Sequence, residues 1–311
     1  MRILFMGTPD FALFSLDALV KSGEDVVGVV TQPDKPKGRG YTLTPPPVKV
    51  YALEHGIEVY QPATLKDGAF LETLEKLAPE MIVVVAYGKI LPKYVLDFPK
   101  YGCINIHGSL LPKYRGAAPM QRAIIDGEKV TGVTSMYMAE GLDTGDMLIK
   151  EEVEIAEDDN FETVHDKLGA AGARVLLLTV EAAKCGTLNP EKQDESLATH
   201  TSKIEKADCL IDFGADAHTI HNKIRGLSPF PLAFTHLPNG KLFKIVKAHF
   251  EEGKGDEYGK VVRADKNGIA VCARGGLVVI EIATPEGKKA QSAADLVNGR
   301  QVSVGDVLGV K

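Results

Sequence analysis

The run Met1-Arg-Ile-Leu-Phe-Met-Gly-Thr-Pro-Asp10, continuing as Phe11-Ala-Leu-Phe-Ser-Leu-Asp-Ala-Leu-Val-Lys21, decides the fold class. Residues 2–6 form a short apolar stretch that reads as a first buried strand and not as a signal peptide. Gly7-Thr-Pro-Asp10 breaks it, and the apolar spacing over 11–21 then predicts a helix that Asp10 can cap and Gly23 can follow. The alternation recurs. Residues 26–31, 81–86 and 103–107 look like buried strands, while 48–55, 68–77 and 118–126 have helical spacing. Strands alternating with helices predict an α/β, Rossmann-like fold: a mostly parallel sheet with helices on both faces, binding ligands beyond the carboxyl ends of its strands. Further strands are expected over 131–138 and 147–155, and a long helix over 160–184 with Asn160 as its cap.

The character changes after Gly186. Residues 188–207 are polar and lack a clear period, as a linker does, and divide a catalytic domain (1–187) from a carboxy-terminal one (208–311). In the latter, 215–225 looks helical and Ser228-Pro-Phe-Pro231 breaks it. Short apolar runs between Gly and charged turns then predict a small β module, a partly open, OB-like barrel. The net charge of −6 is uneven. Residues 1–208 carry 22 Lys and Arg against 31 Asp and Glu (−9), and 209–311 carry 14 against 11 (+3), a bias that hints at a polyanionic partner.

Among 311 residues no apolar run reaches the roughly 18 to 20 needed to span a membrane. Cys103, Cys185, Cys209 and Cys272 are scattered without metal-ligand spacing and fit a reducing compartment, so a cytoplasmic protein is expected. A monomer is the expectation for its assembly.

Chemistry concentrates in Cys103-Ile-Asn105-Ile-His107-Gly-Ser109-Leu-Leu-Pro112. A strand repeats every two residues, so Asn105 and His107 share one face while Ile104 and Ile106 share the other. The pair sits at a strand end, where such sheets bind ligands, although hydrogen bonding to nearby loops would be a sufficient use for it. In Gly141-Leu-Asp143-Thr-Gly145-Asp146, Asp143 lies between glycines in a tight connection, suited to stabilising the turn or to meeting a ligand. An amide, an imidazole and a carboxylate together suffice for acyl transfer to an amine. Asn105 can donate to the oxyanion of a tetrahedral intermediate, His107 can move protons or stabilise that oxyanion, and Asp143 can orient His107. A metal site would want a second His or a closely spaced carboxylate set, and Ser109 lacks the G-x-S-x-G setting of a nucleophile. Neither GxGxxG nor a Walker motif is present. The long loop 32–47 carries Lys35, Lys37 and Arg39 before three prolines, and a basic loop beside a cleft can track phosphates.

These stretches carry a resemblance. The segments 5–12, 31–34 with Gly38-Arg-Gly40, 83–88, Asn105-Ile-His-Gly-Ser-Leu-Leu-Pro112, Arg115-Gly-Ala-Ala-Pro119 and Gly141-Leu-Asp-Thr-Gly-Asp146 resemble the methionyl-tRNA formyltransferase family, over essentially the whole chain. The Asn-x-His and Gly-x-Asp-x-Gly elements are common to the wider 10-formyltetrahydrofolate transferases and hydrolases, so they mark the chemistry. The Gly-Arg-Gly loop and 220–231 point to the acceptor.

The resemblance implies that Asn105, His107 and Asp143 are catalytic. It implies that Ser109, Leu110, Leu111 and Pro112 line the site of the formyl donor, 10-formyltetrahydrofolate, with Tyr87 and Gly88 bordering it. Lys35, Lys37 and Arg39 would enter the acceptor stem of initiator methionyl-tRNA, and no metal would take part. Phe213 and Leu232 depart from the Trp and Gly frequent in the family, and a small acceptor such as an amino sugar is the rival reading.

Overall fold

The computed structural model describes residues 1–37, 42–255 and 257–309, apart from the side chains of Lys37 and Thr42. Contacts divide the chain into two units: residues 1–116, 130–154 and 165–201 in the first, and 117–129, 155–164 and 202–311 in the second.

The first unit begins β1 (Arg2–Gly7), α1 (Phe11–Lys21), β2 (Asp25–Val30). Asp10 caps α1 by accepting from the Phe11 N–H, as the sequence suggested. A hairpin, β3 (Lys35–Lys37) and β4 (Thr42–Thr44), follows within the basic loop. Then come α2 (Pro47–Glu54), β5 (Val59–Tyr60), α3 (Leu71–Leu77), β6 (Met81–Val85), α4 (Lys93–Leu96), β7 (Cys103–His107) and the short β8 (Arg115–Gly116). After α5 (Pro119–Ile125) the chain adds β9 (Val130–Tyr137), β10 (Met147–Glu154), α6 (Phe161–Cys185) and β11 (His200–Thr201).

The sheet order is β10-β9-β7-β6-β1-β2-β5, parallel from β5 to β7 and antiparallel at β9 and β10. Alternation places Leu4, Met6, Ile82, Val84 and Cys103 in one core cluster with Phe70, Leu74, Leu77 and Val95. Burial among these apolar neighbours pushes the Cys103 thiol up to about 12. Ile106 meets α6 at Gly172, where an added Cβ would lie 3.2 Å from it.

Residues 188–201 are not slack chain. Glu191 bridges Met147, and β11 pairs in parallel with β8.

In the second unit α7 (Ala217–Gly226) packs on α5 so closely that a Cβ on Gly226 would sit 2.7 Å from Ile125. A boundary drawn along the chain places α5 with the first domain. Its apolar face instead finds its partner a hundred residues away.

An antiparallel sheet β12-β13-β16-β15-β14 follows, from β12 (Ala233–His236), β13 (Leu242–Glu251), β14 (Val261–Asp265), β15 (Gly268–Ala273) and β16 (Gly276–Pro285), with β17 (Gln291–Ser292) on β16 ahead of α8 (Ala293–Asn298). Residues 305–309 run between its two ends: Gly305 N–H donates to Val261 O, and Gly309 N–H to His236 O. That seam gives the sheet its barrel-like closure.

Phe213, which stands for the frequent Trp, is 5% exposed in this core. Phe213→Ala should destabilise the second unit by about 3–5 kcal/mol, the usual cost of emptying a buried aromatic site, as read from the urea midpoint. An unchanged midpoint would mean that the site collapses without loss. Leu232, which stands for the frequent Gly, has φ +77°, the left-handed region that explains the preference for glycine there.

Candidate active site

Asn105 and His107 project from the same face of β7, at its carboxyl end. Their partner comes from the turn between β9 and β10. Gly145 lies so near Tyr137 O that a side chain would overlap it, so only glycine lets the turn fold back in this way. The turn brings the Asp143 carboxylate to β7. Oδ1 accepts from Asn105 Nδ2 at 3.4 Å, Oδ2 accepts from the Gly116 N–H at 2.8 Å, and Oδ2 stands 3.7 Å from His107 Nδ1. The last is a charge contact and not a hydrogen bond.

His107 Nε2 lies 2.9 Å from Tyr114 O. A carbonyl only accepts, so Nε2 carries the hydrogen and Nδ1, facing Asp143, is where a second proton is taken up or released. Among the described residues Asn105 spends one amide N–H on Asp143, and its second has no protein partner. Asp143 (φ +53°) and Tyr114 (φ +60°) both hold left-handed backbone, which an aspartate tolerates and a tyrosine seldom adopts. The three residues singled out from sequence therefore meet, across 38 residues of chain.

The remaining sequence-derived residues are placed unequally. Ser109 is fully buried; its Oγ donates to Lys113 O, and its carbonyl accepts from Thr134 Oγ1. Leu111 is buried with Met136 and Met147. Leu110 and Pro112 are the half-exposed members of this turn. Ser109 and Leu111 thus shape the turn, and the outer two offer apolar surface.

Just past the end of neighbouring β6, Tyr87 is 1% exposed, and burial pushes its phenol up to about 12. Its hydroxyl has no hydrogen-bond partner among the described residues. Gly88 has φ +80°, and a Cβ there would lie 2.5 Å from Gln32 Nε2. Lys35 is exposed on the hairpin with Nζ donating to Gln32 Oε1. Arg39 and the side chain of Lys37 lie outside the described residues. A cavity of about 230 Å³ opens beside the hairpin, lined by Thr8, Gln32, Lys35 and Pro46 among others. Among the described residues no group of three His, Cys, Asp or Glu is arranged to hold a metal ion.

Three contributors were given no role by the sequence reading, although Arg115 stands in one of the quoted stretches. Gln193 Nε2 donates to both Asp143 O and Gly145 O, each at 2.8 Å. Arg115, 1% exposed, gives its Nε–H to Gln193 Oε1 and grips Glu195 through two parallel hydrogen bonds. A polar segment without period carries no mark of such contacts. Only the burial of an arginine would have disclosed them, and burial is invisible in a sequence.

A family model described as formyl transferase matches residues 1–180, and one described as formyl transferase, C-terminal domain, matches residues 203–301. The chain belongs to the formyl transferase family. Proteins named methionyl-tRNA formyltransferase from Geotalea uraniireducens and Bacillus subtilis are each 49% identical to this formyl transferase. The alignments cover 100% and 99% of it, and 99% and 98% of those relatives. Among solved structures, HypX from Aquifex aeolicus in complex with tetrahydrofolic acid matches 98% of the chain at a TM-score of 0.65 and 19% identity, which speaks to fold alone. The chain spans 48% of HypX.

Proposed function

We propose that this formyl transferase moves the formyl group of 10-formyltetrahydrofolate to the α-amino group of methionine on initiator methionyl-tRNA, at the start of protein synthesis. The observation that carries the reading is 49% identity, end to end, with curated relatives bearing that name. The site geometry supports the chemistry. The neutral amine attacks the formyl carbon and forms the new C–N bond. Asn105 donates its second amide N–H to the oxygen that becomes negative. The His107–Asp143 pair takes the proton lost by the amine. Collapse then breaks the bond from carbon to N10 of the folate, which leaves with a proton. No covalent enzyme intermediate forms, and the reaction so drawn uses no metal.

In this reading the 109–112 turn and Tyr87 and Gly88, just past the end of β6, hold the folate. The basic hairpin and the positively charged residues 209–311 hold the tRNA. The enzyme acts in the cytoplasm as a monomer. No described helix is long and apolar enough to cross a membrane.

The test is transfer from labelled donor with charged initiator methionyl-tRNA, free methionine and an amino sugar in parallel. Label on the tRNA alone supports both reaction and acceptor. Label on the sugar, or lost to water, overturns the acceptor. For the basic loop 32–47, Arg39→Ala should raise KM for the tRNA about tenfold and reduce the salt slope by about 1, as loss of one phosphate contact does, with folate KM unchanged. Weaker folate binding in that variant would misplace the loop.

A further inference from the structure

We propose that Gln193 is a positioning residue for Asp143, and that Arg115 and Glu195 fix the orientation in which it does so. The inference rests on the reading of Asp143 as catalytic given above.

Asp143 sits in left-handed backbone, which aspartate adopts more readily than most residues, and its neighbours hold the turn in this one arrangement. Two hold the carboxylate: Asn105 and the Gly116 N–H. The peptide itself is held by Gln193, whose amide donates one hydrogen to Asp143 O and the other to Gly145 O. These carbonyls flank Thr144, so one side chain clamps both halves of the turn.

An amide is useful here only in one of its two flips. With Nε2 toward the carbonyls it makes two hydrogen bonds, and with Oε1 there it would oppose oxygen to oxygen. Arg115 removes the choice, because its Nε–H requires an acceptor at 2.9 Å and finds Oε1. Arg115 is in turn held in the plane of Glu195 by hydrogen bonds of 2.9 and 2.8 Å. Its backbone is fixed as well: Arg115 N–H donates to Thr199 O, and β8 pairs with β11.

The same strand pair aims the Gly116 N–H at Asp143. A Cβ on Gly116 would lie 2.5 Å from Thr201 O, so the approach is open to glycine alone. Segment 191–201 thus grips the catalytic turn from both sides, through Gln193 on its backbone and through Gly116 on its carboxylate.

The experiment is a double-mutant cycle on the full chain, with formyl transfer to charged initiator tRNA as the rate. Gln193→Glu keeps the shape and still accepts from Arg115, but turns its other oxygen toward the two carbonyls. It should lower kcat on the order of 10- to 100-fold, the usual cost of misplacing a reacting group by about an ångström, with both KM values and the melting temperature close to those of the unaltered protein. Combined with Asp143→Asn it should cost nothing further, because the lost positioning no longer matters. If Gln193→Glu folds poorly, Gln193→Ala, which leaves the Arg115–Glu195 pair intact, takes its place in the cycle.

A readout free of any acceptor is the NMR signal of the His107 ring nitrogens. It should move in the Gln193 variant, since the carboxylate facing Nδ1 is displaced. Unchanged kcat, losses that multiply in the double variant, or an unmoved His107 signal would each overturn the role of Gln193. Full activity in Asp143→Asn would instead overturn the catalytic reading of Asp143, and the His107 signal would then decide Gln193 by itself.

Discussion

Asn105→Ala should lower kcat by about 10²- to 10³-fold while the KM values for donor and acceptor stay nearly constant, which steady-state formylation assays would read directly. The size follows from where the amide points its spare hydrogen. One N–H faces Asp143 at 3.4 Å, a long and weak bond that orients the side chain. The other has no protein partner among the described residues, so it is free for an oxygen that gains charge only as the amine attacks. A donor fixed in advance at a half-buried position costs no reorganisation when that charge appears, and it binds the planar formyl group less well than the tetrahedral state. The loss should therefore fall on turnover. A variant within about threefold of the unaltered rate would remove Asn105 from the oxyanion role, and a rise in donor KM alone would make it a binding residue.

The legibility of this protein in its sequence followed the range of the interactions involved. Period-two and helical spacing are local properties, and so β1, α1, β7 and α6 stand within a residue or two of where the apolar pattern placed them. Asn105 and His107 were readable for the same reason, since alternation alone fixes which side chains share a face. Asp143 was readable because Gly141 and Gly145 announce a backbone that needs glycine, and the overlap of any Gly145 side chain with Tyr137 O is the physical content of that signal.

What escaped is non-local. An amphipathic helix states that it buries one face without saying against what, so α5 gave no hint that its partner is α7. The segment 188–201 has no apolar period because it is held by hydrogen bonds and an ion pair; its order comes from Arg115, some 80 residues earlier. Ser109 shows another limit of the sequence. Its place in a recognisable motif suggested ligand contact but gave no sign that its buried hydroxyl is committed to Lys113 O, where it shapes the turn.

Asp143→Asn should be the more damaging of the two substitutions, with kcat reduced by about 10²- to 10⁴-fold, the range for removing a general base or the group that orients one. The change looks conservative and is not. Both groups that hold the carboxylate are donors, Asn105 Nδ2 on one oxygen and the Gly116 N–H on the other. An asparagine amide has a single accepting end, so in either flip its NH₂ must oppose one of these donors. The variant therefore loses the charge that faces His107 Nδ1 at 3.7 Å and also disturbs the orientation of Asn105. For that reason Asn105→Ala and Asp143→Asn should not multiply in combination, whereas independent contributors would. Stopped-flow transfer at saturating donor and acceptor measures the single and double variants, and pH–rate profiles for Asp143→Asn and His107→Asn show which member of the pair receives the amine proton. A rate for Asp143→Asn within tenfold of the unaltered enzyme would mean that His107 with Tyr114 O suffices as the base, leaving the carboxylate as a fastening of the turn.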